Sequence, residues 1–155
     1  MWRLANPQDD PAIVQMCLSL NQEDPGPEPV PAENMRRTLL TLREHPPRGQ
    51  AFVLDVHGRP SGYALIIPFW SNELGGEVCV IDELYVLPEH RGQGHATRLI
   101  ADLAARALPC ASRAIALALE ITPGNVHARR LYERLGFRGR NLSMRRVLSR
   151  KDACV

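Results

Sequence analysis

A chain of 155 residues that is 45% hydrophobic and 23% charged has an ordinary globular composition and the length to close one sizeable core, so a single domain over 1–155 is expected. No apolar run approaches the roughly 20 residues that span a bilayer, and Met1-Trp2-Arg3-Leu4-Ala5-Asn6-Pro7 lacks a signal-peptide core, so a cytoplasmic protein is expected, away from any membrane. The net charge of +2 is uneven: residues 1–90 hold 6 Arg against 13 Asp/Glu (−7), and residues 91–155 hold 13 Arg/Lys against 4 Asp/Glu (+9); with only 5% aromatics this suits an anionic and a cationic small ligand better than nucleic acid.

In chain order, Arg3-Leu4 fits a short first strand. Residues 11–20 read as a helix, with Asp9 or Asp10 as cap, Pro11 in the first turn and Ile13, Met16, Cys17 and Leu20 at helical spacing. Residues 21–31 form a stiff acidic loop in which Pro25, Pro27, Pro29 and Pro31 alternate beside Glu23, Asp24 and Glu28. A second helix over 33–44 carries Met35, Leu39 and Leu42 on one side, and Pro46-Pro47 stops it. Residues 51–56 and 62–67 make a hairpin about His57-Gly58-Arg59-Pro60. A loop over 70–76 leads to a strand over 77–86.

After that strand come Leu87-Pro88-Glu89-His90 and then Arg91-Gly92-Gln93-Gly94, where a helix over 94–108 begins. Glycines at a helix start uncover backbone N–H groups, and the helix end adds about half a positive charge, so this loop suits a phosphate. It is not a P-loop, because no Gly-Lys-Ser/Thr follows. Nor is it a dinucleotide fingerprint, because Thr97 stands where a third glycine would. An apolar strand over 114–121, a helix over 125–134 capped by Asn125 and closed by Gly136, and a last strand over 142–148 complete the chain. The four cysteines (Cys17, Cys79, Cys110, Cys154) form no Cys-x-x-Cys pair, so neither a disulfide framework nor a metal site is expected. The order β-α-α-β-β-β-α-β-α-β predicts a mixed α/β sheet with helices on both faces, its strand–helix–strand unit at 77–121 a parallel crossover.

Two motifs resemble those of the GNAT family of N-acetyltransferases: Arg91-x-x-Gly94-x-Ala96 after Leu84-Tyr85-Val86-Leu87-Pro88, and Asn125-x-x-Ala128-x-x-Leu131-Tyr132-x-x-x-Gly136-Phe137. Ala96 departs slightly, at a position that is often glycine. The resemblance covers about residues 50–148. It implies a mostly antiparallel sheet in which two parallel strands splay to admit acetyl-CoA, and transfer of its acetyl group to a primary amine by direct attack through a tetrahedral intermediate. The backbone of Gly92, Gln93, Gly94, His95, Ala96 and Thr97, with the charge of Arg91, would hold the pyrophosphate. Leu84, Tyr85 and Val86 would hold the acetyl carbonyl and pantetheine arm through main-chain groups, with Asn125 and Ala128 beside the arm, or Asn125 as helix cap alone. Tyr132 would protonate the departing thiolate.

The attacking amine must lose a proton. Asp82 and Glu83 are neighbours in a strand and face opposite sides, so one of them can enter the cleft; both stay open as the base, and Glu120 is a third acidic candidate on the acceptor side. Glu23 and Asp24 in the proline segment would line the acceptor site and favour a cationic amine. A homodimer is common among similar proteins. A non-catalytic acyl-CoA-binding or sensing domain is the alternative function.

Overall fold

The computed structural model describes residues 1–26, 28 and 30–139. Its elements are β1 (Trp2–Leu4), α1 (Asp10–Glu23), α2 (Ala32–Glu44), β2 (Gln50–Val56), β3 (Arg59–Ser71), β4 (Gly76–Val86), α3 (His95–Ala104), β5 (Ala114–Leu119) and α4 (Val126–Arg134). The five strands lie in the order β1-β2-β3-β4-β5. The first three pairings are antiparallel, and β4 with β5 is parallel. This is the expected mixed sheet. The expected strand over 142–148, with Arg140, Arg145, Arg146 and Cys154, lies outside the described residues, as do Pro27 and Pro29. Among the described residues no helix is long and apolar enough to cross a membrane.

Alternation along the strands divides the apolar side chains between two layers. On one face Ile13, Cys17, Met35 and Leu39 of α1 and α2 pack on Tyr63, Leu65 and Tyr85. On the other, Leu99, Ile100 and Leu103 of α3 pack on Phe52, Leu54, Ile66, Cys79 and Ile81, with Tyr132, Leu135 and Phe137 closing the layer beside α4. The helical periodicity of each segment is therefore spent on one face of the sheet.

Three local departures from the sequence reading have physical causes. Asp9 does not cap α1 with its side chain. Its carboxylate instead takes two hydrogen bonds from Arg3 (2.8 and 2.9 Å) and one from the Asn6 amide (2.8 Å). Asp10 pairs with Arg43 at 2.7 Å, joining α1 to α2. Helix α3 ends at Ala104, four residues short of the expected 108. There Arg106 adopts φ +56°, and its Nε donates to the Ala114 carbonyl at 2.8 Å, tying the turn to the start of β5. Helix α1 runs on to Glu23, so residues 21–23 end a helix instead of lying in the expected loop over 21–31.

Candidate active site

The parallel pairing of β4 and β5 runs from Glu77 opposite Ala114 to Ile81 opposite Leu119. There β5 ends, while β4 continues to Val86. The β4–β5 pairing ends at Ile81, so the sheet opens where Leu84, Tyr85 and Val86 lie. They form one bank of the opening, and Glu120, exposed, follows the end of β5 on the other.

The glycine loop leads from this opening into α3. Gly92 and Gly94 both hold left-handed backbones, φ +75° and +78°, and a Cβ built on either would have no atom within 4 Å. The first helical bond is Arg98 N–H to the Gly94 carbonyl at 2.9 Å. The amides of residues 93–97 have no acceptor among the described residues, as the first turn of a helix dictates. The amides of residues 93–97 thus lie unpaired at the positive end of α3, with open space beside Gly92 and Gly94. His95 is turned inward: its carbonyl accepts the Trp2 indole N–H at 2.9 Å, its Nε2 is buried without a partner, and burial first, then nearby positive charges, lower its pKa.

The simple alternation expected through Asp82 and Glu83 is broken. Leu65 pairs with Glu83, but Ile66 pairs with Ile81, so Asp82 is the extra residue of a β-bulge. The bulge reverses the alternation: Cys79 and Ile81 before it and Leu84 and Val86 after it all face α3. Glu83 therefore faces α1 with Tyr85, and Asp82 is exposed. Glu83 Oε2 accepts a 2.7 Å hydrogen bond from Tyr63. Burial raises the Glu83 pKa; the Tyr63 hydrogen bond opposes this and the Asp82 charge adds to it. The sequence marks Tyr63 only as core, as a tyrosine in an apolar strand reads.

Glu23 and Asp24 meet the site, each already engaged. Glu23 Oε1 accepts from the Tyr85 hydroxyl (2.6 Å) and Oε2 from Arg91 (2.7 Å). Arg91 also donates from Nε to the Val86 carbonyl at 2.7 Å and lies 5.1 Å from the Tyr85 ring centre. Asp24 accepts from the Thr122 hydroxyl, and from Asn125 Nδ2 at 2.6 Å. Asn125 Oδ1 meanwhile caps α4, accepting from the Ala128 amide at 3.0 Å. Tyr132, further along α4, is half-buried and sits edge-on to Phe137, with ring centres 5.7 Å apart. Its hydroxyl makes no hydrogen bond to a described residue, and burial raises its pKa, so the phenol is neutral and can donate.

The profile of the Acetyltransferase (GNAT) family matches residues 14–137. No curated protein matches the chain. Among solved structures, a possible acetyltransferase from Clostridium difficile 630 is 18% identical, with a TM-score of 0.76 over 96% of this chain and 97% of that one. Ribosomal-protein-alanine N-acetyltransferase from Brucella melitensis biovar Abortus 2308 is 23% identical, with 0.72 over 96% and 99%. Glucosamine-6-phosphate N-acetyltransferase from Arabidopsis thaliana is 14% identical, with 0.70 over 96% and 98%. At these identities the likeness is one of fold.

Proposed function

The chain belongs to the GNAT family of acetyltransferases, and from that premise we propose that it moves the acetyl group of acetyl-CoA to a primary amine. The observation that carries the proposal is the opening of β4 from β5 beyond Ile81, with the unpaired amides of residues 93–97 at its mouth. The acyl-CoA supplies an activated acyl carbon on a sulfur leaving group. The glycine-loop amides hold its pyrophosphate, and the main chain of Leu84, Tyr85 and Val86 beside the opening holds the arm and turns an N–H toward the acyl oxygen, where negative charge develops. Arg91 serves indirectly: Glu23 and the Val86 carbonyl hold it, and it fixes the loop against β4.

Glu83 takes the proton from the attacking nitrogen. Its burial keeps its pKa above the ordinary carboxyl value, which brings the base closer to working pH. Asp82, exposed on the bulge, and Glu120, exposed beyond β5, would together favour a cationic acceptor. Tyr132 gives its phenolic proton to the sulfur as the carbon–sulfur bond breaks, leaving an amide and the free CoA thiol, and recovers a proton from solvent. Asn125 and Ala128 set the start of the helix that carries Tyr132. The chain works as a single domain in the cytoplasm.

The test is release of CoA thiol from acetyl-CoA with spermidine, glucosamine and an alanine-terminated peptide offered as amines, each product checked by mass spectrometry. An acetylated amine, lost in Glu83→Gln, supports the proposal. Tight acetyl-CoA binding without turnover of any amine supports the sensing alternative.

A further inference from the structure

Tyr63 is the largest fully buried side chain of the described core, and the mechanism above leaves it unused. A phenylalanine would fill the same space between β3 and α1. The hydroxyl is a polar group in an apolar layer, costly there unless paired. It is paired: it donates to Glu83 Oε2 at 2.7 Å. The Cys17 side chain of α1 approaches the same hydroxyl. Asn21 Nδ2 in turn donates to the Cys17 carbonyl at 2.8 Å and reaches Cys17 Sγ at 3.6 Å. Burial pushes the Cys17 thiol up to about 11, so at neutral pH it is an uncharged donor. A polar chain thus runs from Asn21 and Cys17 of α1 through the Tyr63 hydroxyl to the Glu83 carboxylate. The bulge at Asp82 turns Glu83 toward that hydroxyl. Glu83 Oε1 makes no hydrogen bond to a described residue.

We propose that Tyr63 is a positioning residue for Glu83, its buried hydroxyl holding Oε2 so that Oε1 is presented to the acceptor amine. The inference rests on the reading of Glu83 as the base. A carboxylate in a desolvated place needs a donor to stay both ionisable and aimed. The groups that face Glu83 are Tyr63 from β3, Cys17 from α1 and Asp82 beside it on β4. None is cationic, and no described basic side chain forms an ion pair with it. The phenol is then the main support of the charged form. Without it the carboxyl loses its proton only at higher pH and can swing off line.

The experiment labels glutamate carboxyl carbons with 13C and follows Glu83, assigned by its absence in Glu83→Gln, through a pH titration of wild type and Tyr63→Phe. The expected midpoint moves up by about one pH unit in Tyr63→Phe, the scale of one hydrogen bond to a charge. The ascending limb of the pH–rate profile for thiol release, with spermidine, glucosamine and the alanyl peptide as amines, moves with it. kcat falls, and KM for acetyl-CoA does not change. A Glu83 midpoint and limb unmoved in Tyr63→Phe, with the limb lost in Glu83→Gln, overturns this inference alone. A limb intact in Glu83→Gln overturns the base reading and this inference together. If Tyr63→Phe does not fold, wild type labelled at the tyrosine Cζ decides: the Tyr63 signal steps at the Glu83 midpoint, and a flat signal overturns the inference.

Discussion

Glu23 and Asp24, adjacent in the chain at the end of α1, bind opposite banks of the opening between β4 and β5. Glu23 takes the Tyr85 hydroxyl and Arg91 on the β4 side, and Asp24 takes Thr122 and Asn125 beyond β5. Two neighbouring carboxylates thereby fasten the end of α1 to both sides of the split. The Asp24 clasp also pulls on Asn125, whose other amide atom caps α4. Asp24→Ala should therefore cost about 1–2 kcal/mol in urea denaturation, the scale of hydrogen bonds to a partly exposed charge, and should raise hydrogen exchange at Asn125 and Ala128. Unchanged exchange there would show that the clasp does not steady α4.

Glu83 gives stability a pH dependence of definite sign. Its folded pKa is raised above the unfolded one, mainly by burial. The folded state therefore holds the proton more tightly, and this stabilisation is present below the unfolded value of about 4.3 and lost as pH rises through the folded value. Glu83→Gln keeps an acceptor for Tyr63 and cannot ionise. It should match wild type in stability near pH 4 and exceed it near pH 8, measured by urea denaturation at both. A gap that closes as pH rises would contradict the burial argument.

Tyr132 separates chemistry from packing. Its ring packs edge-on to Phe137, and its hydroxyl bonds to no described residue. Tyr132→Phe should leave the melting temperature and acetyl-CoA affinity as they are and lower kcat about 100-fold, at the low end of general-acid effects. A drop in stability with unchanged kcat would make it a core residue only.

Gly62 sits on β3 beside the end of β4, where a Cβ would come within 2.6 Å of the Tyr85 carbonyl oxygen and 3.3 Å of Leu54 and Val86. That is a backbone contact and cannot swing away. Gly62→Ala should cost about 1–3 kcal/mol, as overpacking does, and disturb the strand end that carries Tyr85 and Val86. At Gly124 a Cβ would meet nothing within 4 Å, so Gly124→Ala should stay within about 0.5 kcal/mol of wild type. Thermal denaturation of the pair checks the contrast.

Much of the fold was legible because periodicity is a local property. Met35, Leu39 and Leu42, or Leu99, Ile100 and Leu103, declare a helix face before any partner is known, and the prolines and glycines mark where elements stop. The turn into α3 was legible at residues 91–94 because two glycines at a helix start mark a left-handed backbone, as Gly92 and Gly94 adopt. What escaped depends on contacts between distant segments. The bulge at Asp82 appears only when β3 and β4 are set in register, and it decides which face Glu83 takes. Arg91 looked like a free cation until Glu23, far away in sequence, closed on it. Helix α3 stops early through the bond from Arg106 to Ala114, which no helical pattern announces. Tyr63 looked like core and is core; only its neighbour gives it a second use.

The central claim is that the glycine loop at the mouth of the split holds acetyl-CoA. Calorimetric titration of acetyl-CoA into wild type and Gly94→Ala tests it most directly. Gly94 has φ +78° and open space where a Cβ would stand, so alanine strains the turn and puts a methyl group where the backbone must be approached. Binding to wild type that weakens at least about tenfold in folded Gly94→Ala, a difference of about 1.4 kcal/mol, is the predicted result. No heat with wild type, or equal affinity in both proteins, would contradict it.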